Sequence, residues 1–559
     1  MVTIYESSAV PTEKTHEPSV KSVDKPKGLI SPFADQFLNE LSTKHQLTEE
    51  NETMVAVSET LGGLVYTYER IRNAIEYKGE NVLRRASIER ILKRLLWERR
   101  KHNSLKISEA LIKELIWSRY LPNNKVPRSK IIEVAETIEK YKYLIGKVYE
   151  RGTALSYSKL REWTWGIASC EIEEILDSSN KEEYVNLMYS WFMTYFDWTD
   201  SDISQHEKAI QIYLAVHRSL VKPDDAMMRY HLVLKEVPDW KNATEPTLDE
   251  FTKDFAKIHH EIENHLTRSE RMALFRVIQK NIAPFLILRE FIERETDYQK
   301  IIQDPARFES NIFGLCEINY SKIRSKVNRG ILRSIIYIFI TKVVIAILLE
   351  VPYELFRYGS LKFVPLAINI SVAPLMMAII GLTIHVPNEQ NSKRIFSKIK
   401  TVVYYTANPK KQIFSLKKVS RSSRASVIFS GIYLLLFLLV FGGVSYLLLQ
   451  LDFTLLAVLI FFMFVSLVLL FGSRVRYTAS QLSVTPEREG LIKQIIDNLS
   501  LPFLSVGVYL SKGIAKLNFF TILLDFLIEA PLKIIVEAIE DWTSFIREKR
   551  EEVVEVPED

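Results

Sequence analysis

Cysteine is scarce in this chain of 559 residues, with Cys170 and Cys316 the only two. Two cysteines supply no disulfide framework, and they fit a reducing compartment. The formal net charge of +5 is small for this length, so composition gives no argument for a nucleic-acid partner. Residues 1–30 contain no apolar run of the kind that marks a secretory signal, and we predict that they form a disordered tail.

Motifs with catalytic or ligand-binding specificity are also missing. The segment 507–513 holds the letters of a phosphate loop, but no glycine directly precedes Lys512, as that motif requires. We therefore predict no catalytic residue and no cofactor, and we expect a protein that is not an enzyme.

Long apolar runs are what the sequence does contain, and four of membrane length lie beyond residue 330: 331–349, 363–386, 426–449 and 453–472. Each has roughly the 20 residues that a helix needs to cross about 30 Å of hydrocarbon. The mean hydropathy of +0.02 hides these runs because the first half of the chain is polar. We predict a four-helix transmembrane bundle, with the first span acting as the insertion signal.

Lysine and arginine flank these runs unevenly. Five bases lie in 322–333 and two follow the fourth run, at Arg474 and Arg476, whereas the link 450–452 has none. Because basic flanks stay in the cytoplasm, we predict a multi-pass protein of the plasma (inner) membrane with both termini cytoplasmic. The cytoplasmic loop 387–425 carries ten bases, which we predict to face an anionic inner leaflet: Lys393, Arg394, Lys398, Lys400, Lys410, Lys411, Lys417, Lys418, Arg421 and Arg424.

The remainder of the chain is predicted to be helical, which makes the fold class all-α. Apolar residues at helical spacing recur through 31–325 and indicate a large cytosolic helical domain. The transmembrane region is predicted at 326–480, membrane-proximal amphipathic helices at 481–548 and a charged tail at 549–559; the part 499–540 lies in the interface or packs on the bundle. Five tryptophans are predicted to anchor the core: Trp163, Trp165, Trp191, Trp198 and Trp240.

Polar residues inside or beside the apolar runs carry more information, because burying them in hydrocarbon is costly. Lys342 lies within the first run, Asn369 lies within the second at a similar depth, and Glu350 follows the first run directly. We expect Lys342 and Asn369 to be close enough for a hydrogen bond, with Glu350 within reach. A structural clamp between the first two spans is the favoured interpretation, and an ion or substrate pathway is the alternative.

Histidine is concentrated in one region, since six of the ten histidines lie between His206 and His265. Within 259–265 each pair at helical spacing offers only two metal ligands, so we predict a solvated helix face and no metal site. In the alternative interpretation, distant residues complete a site with His259, Glu263 and His265 of this segment, and the candidates are His217, Asp224, Asp225 and His231.

Three segments resemble large polytopic membrane proteins of small-genome candidate-phylum bacteria. They are ITKVVIAILLEVPYE at 340–354, LNFFTILLDFLIEAP at 517–531, and the stretch from His217-Arg218 through His231-Leu232. That group has no assigned activity, so the resemblance implies a bacterial plasma membrane and no particular reaction.

Together these features lead us to expect an integral membrane protein that scaffolds or recruits a protein partner through its helical cytosolic domain. The first alternative is a transporter or channel component that uses Lys342, Asn369 and Glu350. The second is a membrane-tethered metal-dependent enzyme that uses the region between His206 and His265.

Overall fold

The computed structural model describes residues 3–5, 30–46, 53–57, 59–76, 80–98, 103–177, 179–200, 202–416, 423–484, 491–515, 542 and 545–546. Helix dominates these residues, which confirms the all-α fold class. The α-helices are α1 (Pro32–Gln46), α2 (Glu59–Glu76), α3 (Glu80–Glu98), α4 (Ser104–Trp117), α5 (Ser129–Arg151), α6 (Tyr157–Leu176), α7 (Lys181–Tyr195), α8 (Gln205–Leu220), α9 (Asp225–Glu236), α10 (Glu245–Thr267), α11 (Arg271–Gln279), α12 (Ala283–Arg294), α13 (Tyr298–Gln303), α14 (Pro305–Ile345), α15 (Val351–Tyr358), α16 (Phe363–Leu382), α17 (Glu389–Val403), α18 (Ser423–Gln450), α19 (Leu455–Ser480) and α20 (Leu491–Ala515).

Short strands accompany the helices: β1 (Thr3–Tyr5), β2 (Met54–Val55), β3 (Val126–Pro127), β4 (Phe196–Trp198) and β5 (Gln412–Ser415). β5 is the centre of a three-stranded sheet, antiparallel to β1 and parallel to β4, and β2 pairs with β3. β1 falls within 1–30, the segment for which we predict a disordered tail, and 6–29 lies outside the described residues.

The chain divides into two compact units. The first comprises Met1–Gln36, Ser190–Asp200 and Arg276–Leu517; the second comprises Phe37–Tyr189, Ser201–Phe275 and Asn518–Asp559. This division differs from the domain boundary that we predict between residues 325 and 326. The physical reason is that α14 runs without a break through that point, and α12 and α17 pack against it.

Tryptophans anchor the core of both units, as predicted. Trp163, Trp165 and Trp240 are buried in the second unit, and Trp191 and Trp198 are buried in the first. A buried indole usually has a polar partner for its N–H, although the Nε1 of Trp165 has none among the described residues. The Nε1 of Trp240 donates to a carboxylate oxygen of Glu171 at 3.2 Å, and that of Trp198 donates to Asp200 at 2.7 Å.

Four helical stretches of the first unit are long and apolar enough to cross a membrane: Pro305–Tyr358, Phe363–Leu382, Val427–Gln450 and Leu455–Ser480. They coincide with the four apolar runs of the sequence. The first stretch forms a π-helical turn, Ala346–Glu350, at the end of the predicted span 331–349, and it continues beyond that span as α15. It ends at Gly359, whose positive φ of 68° suits a residue without a side chain. The link to α16 is therefore much shorter than the stretch 350–362 that separates the first two predicted spans.

α20 packs against α18 and α19 within the first unit. The ring of Phe503 lies 5.0 Å from that of Phe441 on α18, measured between centroids. The segment 499–515 thus packs on the apolar helices, which is one of the two arrangements expected for 499–540, while 516–540 lies outside the described residues. α20 lies close to α19 at Gly507, where a Cβ would lie 2.5 Å from the backbone oxygen of Ser466.

We expect Gly507→Ala to lower the melting temperature of the full chain in detergent, because the added methyl forces α20 away from α19. Overpacking of this kind typically costs about 1–3 kcal/mol. Gly443→Ala on α18 is the matched control, since a Cβ there meets nothing within 4 Å. Equal melting temperatures for the two variants would contradict the close packing of α20 on α19.

Candidate functional site

Three polar side chains meet between the long apolar helices. Lys342 lies on α14, Glu350 at the end of the π-helical turn, and Asn369 on α16; their exposed fractions are 0%, 2% and 1%. The Nδ2 of Asn369 donates to both carboxylate oxygens of Glu350, at 2.8 Å each. The Nζ of Lys342 lies 3.7 Å from Oε1 of the same carboxylate. Both side chains therefore turn to Glu350, and this arrangement replaces the direct Lys342–Asn369 hydrogen bond that the sequence suggests.

The π-helical turn explains how Glu350 faces Lys342. In an uninterrupted α-helix, residues eight apart lie about 80° from each other around the axis. The turn Ala346–Glu350 is wider and takes up an additional residue, which rotates Glu350 back towards the face that carries Lys342. Turns of this type often occur at functional sites.

α19 also contacts two of these three side chains, those of Lys342 and Asn369. The ring of Phe464 lies 4.5 Å from the Nζ of Lys342, and an aromatic face attracts a cation. The Nδ2 of Asn369 is also 3.4 Å from the backbone oxygen of Ala457. Among the described residues, three buried polar atoms on α14, α16 and α19 have no hydrogen-bond partner: Lys342 Nζ, Asn369 Oδ1 and Ser466 Oγ.

The two ends of these apolar helices carry different polar contacts. At one end, the Nζ of Lys362 donates to the backbone and carboxylate oxygens of Asp452 at 3.3 Å, and the buried carboxylate of Glu354 accepts from the backbone N–H of Lys362 at 3.1 Å. At the opposite end, Arg476 donates to the hydroxyl of Thr383 at 3.1 Å. The short links before α16 and before α19 thus lie at the same end.

The ten bases that we predict to face lipid occupy several environments. α17 buries one face against α12 and α14, including Ile395, Phe396 and Ile399. The bases with exposed side chains are Lys393, Arg394, Lys400, Lys410 and Lys411. Lys398 is half-buried and donates to the side-chain oxygen of Asn281. Lys417, Lys418, Arg421 and the side chain of Arg424 lie outside the described residues.

Several of the candidate metal ligands have separate partners in the second unit. Asp224 caps the N-terminus of α9 and forms an ion pair with Arg85. Asp225 is exposed in the first turn of the same helix. The Nδ1 of His265 lies 3.0 Å from a carboxylate oxygen of Glu207. These residues do not come together as one ligand set.

His259 and Glu263 are neighbours on α10 but serve different contacts. Glu263 accepts a hydrogen bond from the indole of Trp163 at 3.0 Å and forms an ion pair with Arg229 at 2.6 Å. Burial alone would raise the pKa of Glu263, but these two partners and the neighbouring His259 hold the pKa below its usual value. The ring of His259 packs against that of Trp163, with 5.3 Å between centroids.

Two candidates, His217 and His231, do converge, and they share a carboxylate that the sequence did not single out. The Nε2 of His217 lies 3.3 Å from Oε2 of Glu182, and the Nδ1 of His231 lies 3.6 Å from the same oxygen. The other carboxylate oxygen accepts a hydrogen bond from the phenol of Tyr213 at 2.5 Å. Glu182 is 35 residues before His217 in sequence, so no local spacing could have linked them.

Burial and neighbouring groups shift the pKa values of Glu182 and His231. Burial alone would raise the pKa of Glu182, but the hydrogen bond from His217 and the nearby imidazole of His231 lower that pKa to about 2. Burial, together with the adjacent His217, lowers the pKa of His231 to about 3. At neutral pH the cluster therefore contains an ionised carboxylate beside a neutral His231 imidazole.

Comparison with known proteins finds no matching family model, no matching curated protein and no matching solved structure. The function must therefore be argued from these side chains alone.

Lys398 provides a prediction of pH dependence, because burial lowers its pKa from 10.5 to about 8. Between those values the folded state binds fewer protons than the unfolded state, so this group raises stability as the pH increases from 8 to 10.5. Below pH 8 the folded protein bears the cost of the buried charge, up to roughly 3 kcal/mol at about 1.4 kcal/mol per pKa unit.

We expect Lys398→Gln, which keeps a donor for Asn281 but removes the charge, to melt at a higher temperature than the wild type at pH 7. The difference should shrink towards pH 10, where the lysine is itself neutral. Lys393→Gln, at an exposed position on the same helix, should show no such pH-dependent difference. If the melting temperature of Lys398→Gln is still higher than that of the wild type at pH 10, burial of the lysine charge is not the cause of the difference.

Proposed function

We propose that this chain is a multi-pass membrane protein of a bacterial plasma membrane, with four spanning helices. The length and apolar composition of the four helical stretches support this proposal. The surface of α18 supports it as well, because aliphatic side chains are exposed along its length, among them Val427, Ile428, Leu434, Leu438 and Leu447. A surface of this kind is unfavourable in water and suited to lipid.

The proposed orientation has both short links, 359–362 and 451–454, outside and both chain termini in the cytoplasm. Two observations support it. The contact between Lys362 and Asp452 lies at one end of the helices, and the contact between Arg476 and Thr383 lies at the other. The exposed bases of α17 and of 410–411 adjoin the second end in sequence, where the positive-inside rule expects them. Each base near an anionic leaflet contributes about 1 kcal/mol of attraction.

We propose a scaffolding or recruiting role in preference to catalysis or transport. The observation that carries this choice is the enclosure of Lys342, whose 0% exposed side chain lies between the Glu350 carboxylate and the Phe464 ring. A lysine enclosed in this way ties α14, α16 and α19 together as a clamp. The second unit is then the cytosolic part that meets a protein partner.

Transport is the second candidate, and one observation favours it. Lys342 Nζ, Asn369 Oδ1 and Ser466 Oγ are buried without hydrogen-bond partners among the described residues. Polar atoms left unpaired between apolar helices are a common feature of ion and proton pathways. The clamp and the pathway require the same residues, so an experiment must separate them.

A topology experiment tests the membrane proposal. We expect a reporter inserted between Gln450 and Phe453 to be accessible from outside the cell, whereas reporters fused before Met1 or after Asp559 should be accessible only from the cytoplasm. The physical reason is the concentration of bases on the segments that remain inside. An external reporter at Asp559 would contradict the proposed orientation.

The double variant Lys342→Met with Glu350→Gln tests the clamp against the pathway. The double variant removes both buried charges, and the glutamine amide introduced at position 350 still offers an acceptor and a donor to Asn369. We therefore expect it to melt in detergent at the wild-type temperature or above. Each single variant leaves one buried charge without its partner, which typically costs about 3–5 kcal/mol, and should melt lower.

Proton leak is measured on the same proteins, reconstituted in liposomes that are loaded with a pH-sensitive dye. The scaffold proposal expects wild type and double variant to give the same slow proton leak as liposomes without protein. A leak that is raised by the wild type and lost in the well-folded double variant would contradict the scaffold proposal and identify a pathway through Lys342.

A further inference from the structure

We propose that Glu182, His217 and His231 form a binding site for a divalent transition metal of the zinc type. The three residues come from three helices of the second unit: Glu182 from the first turn of α7, His217 from the last turn of α8, and His231 from α9. One ligand atom from each lies within 4.8 Å of the other two. The proposal is independent of the role suggested for the apolar helices.

The two separations between the carboxylate oxygen and the imidazole nitrogens suit tetrahedral coordination. Zinc binds imidazole nitrogen and carboxylate oxygen at about 2.0–2.1 Å, so neighbouring ligands of a tetrahedral ion are about 3.3–3.4 Å apart. The carboxylate oxygen Oε2 of Glu182 lies 3.3 Å from the Nε2 of His217 and 3.6 Å from the Nδ1 of His231. An ion placed among these atoms requires only small movements of the side chains.

A neighbouring phenol fixes the carboxylate ligand in place. The phenol of Tyr213 donates to Oε1 of Glu182, which leaves Oε2 directed at the two histidines. A partner of this kind on a ligating carboxylate orients it and raises metal affinity. His217 makes its polar contact through Nε2, the atom available to the ion. Its buried Nδ1 has no hydrogen-bond partner among the described residues, so His217 lacks the orienting contact that Tyr213 provides for Glu182.

The position of Glu182, His217 and His231 also favours binding of a metal cation, and it leaves one coordination position of that ion open to water. His217 lies in the last turn of α8, where the helix dipole stabilises positive charge. The side chains of His217 and His231 are 2% and 14% exposed, whereas that of Glu182 is 35% exposed, so water can reach the ion from the side of the carboxylate. Two imidazoles and one carboxylate with an open fourth position select a zinc-type ion over Ca²⁺ or Mg²⁺, which prefer oxygen ligands alone.

The test uses the full chain purified in detergent without an affinity tag, stripped of metal with a chelator and then titrated with Zn²⁺ in competition with a chromophoric chelator. We expect one equivalent to bind and to raise the melting temperature, because the ion binds the folded state. Glu182→Gln retains the shape of the side chain and the acceptor for Tyr213. It should weaken Zn²⁺ binding at least tenfold, and so should His231→Gln.

Two exposed histidines of the same unit, His206 and His260, provide matched controls. His206→Gln and His260→Gln should bind Zn²⁺ as the wild type does. Co²⁺ added to the stripped wild type should give the intense visible absorption of a four-coordinate site, and this absorption should be lost in Glu182→Gln. The proposal is overturned if the wild type binds no Zn²⁺ equivalent, or if Glu182→Gln and His231→Gln bind it as tightly as the controls.

Discussion

The arrangement of the apolar helices depends on one carboxylate, that of Glu350. It is 2% exposed and has only protein groups to replace the water that an ionised acid requires. The amide of Asn369 and the ammonium of Lys342 supply them, from α16 and α14. Each of these helices must then keep its rotation about its axis and its position along that axis, because a shift of either helix would leave a charge unpaired. Apolar packing is more permissive as long as volume is kept, because exchanges of one aliphatic side chain for another of similar size cost less than about 1.5 kcal/mol.

Much of the helical architecture could be predicted from the sequence, because it follows from local chemistry. Runs of about 20 apolar residues satisfy their backbone polar groups only as helices, and the four runs do coincide with four helices. The burial of Trp163 and Trp240 follows from the cost of exposing an indole. The extent of the helices was less predictable: α14 begins at Pro305 and α19 continues to Ser480, since helical hydrogen bonding does not stop where hydropathy changes.

Other features depend on contacts that no local pattern contains. The π-helical turn at Ala346–Glu350 precedes Pro352, which has no N–H to donate to the carbonyl of Leu348, so a disturbance of the helix could be expected here. The contacts of Glu350 with Lys342 and with Asn369 on α16 could not be read from any local pattern. The segment around Lys398 is a different case, since the spacing of Ile395, Phe396 and Ile399 does indicate one face of a helix, and the many bases lead us to predict a loop. Only the burial of that face against α12 and α14 lies beyond the local pattern. Glu182 meets His217 and His231 through the packing of three helices, so spacing within the histidine region could not identify it.

Glu350 and Glu182 are both held by positively charged or proton-donating side chains, but their surroundings give them different chemistry. Glu350 has both oxygens bound by Asn369 and is closed off from water, so exchange of its partners would require the helices to separate. Glu182 has one oxygen held by Tyr213 and the other shared by two imidazoles, and its side chain is 35% exposed. An ion can therefore enter between Glu182 and the histidines without disturbing a helix. The first carboxylate is suited to holding structure together, and the second is suited to binding a ligand.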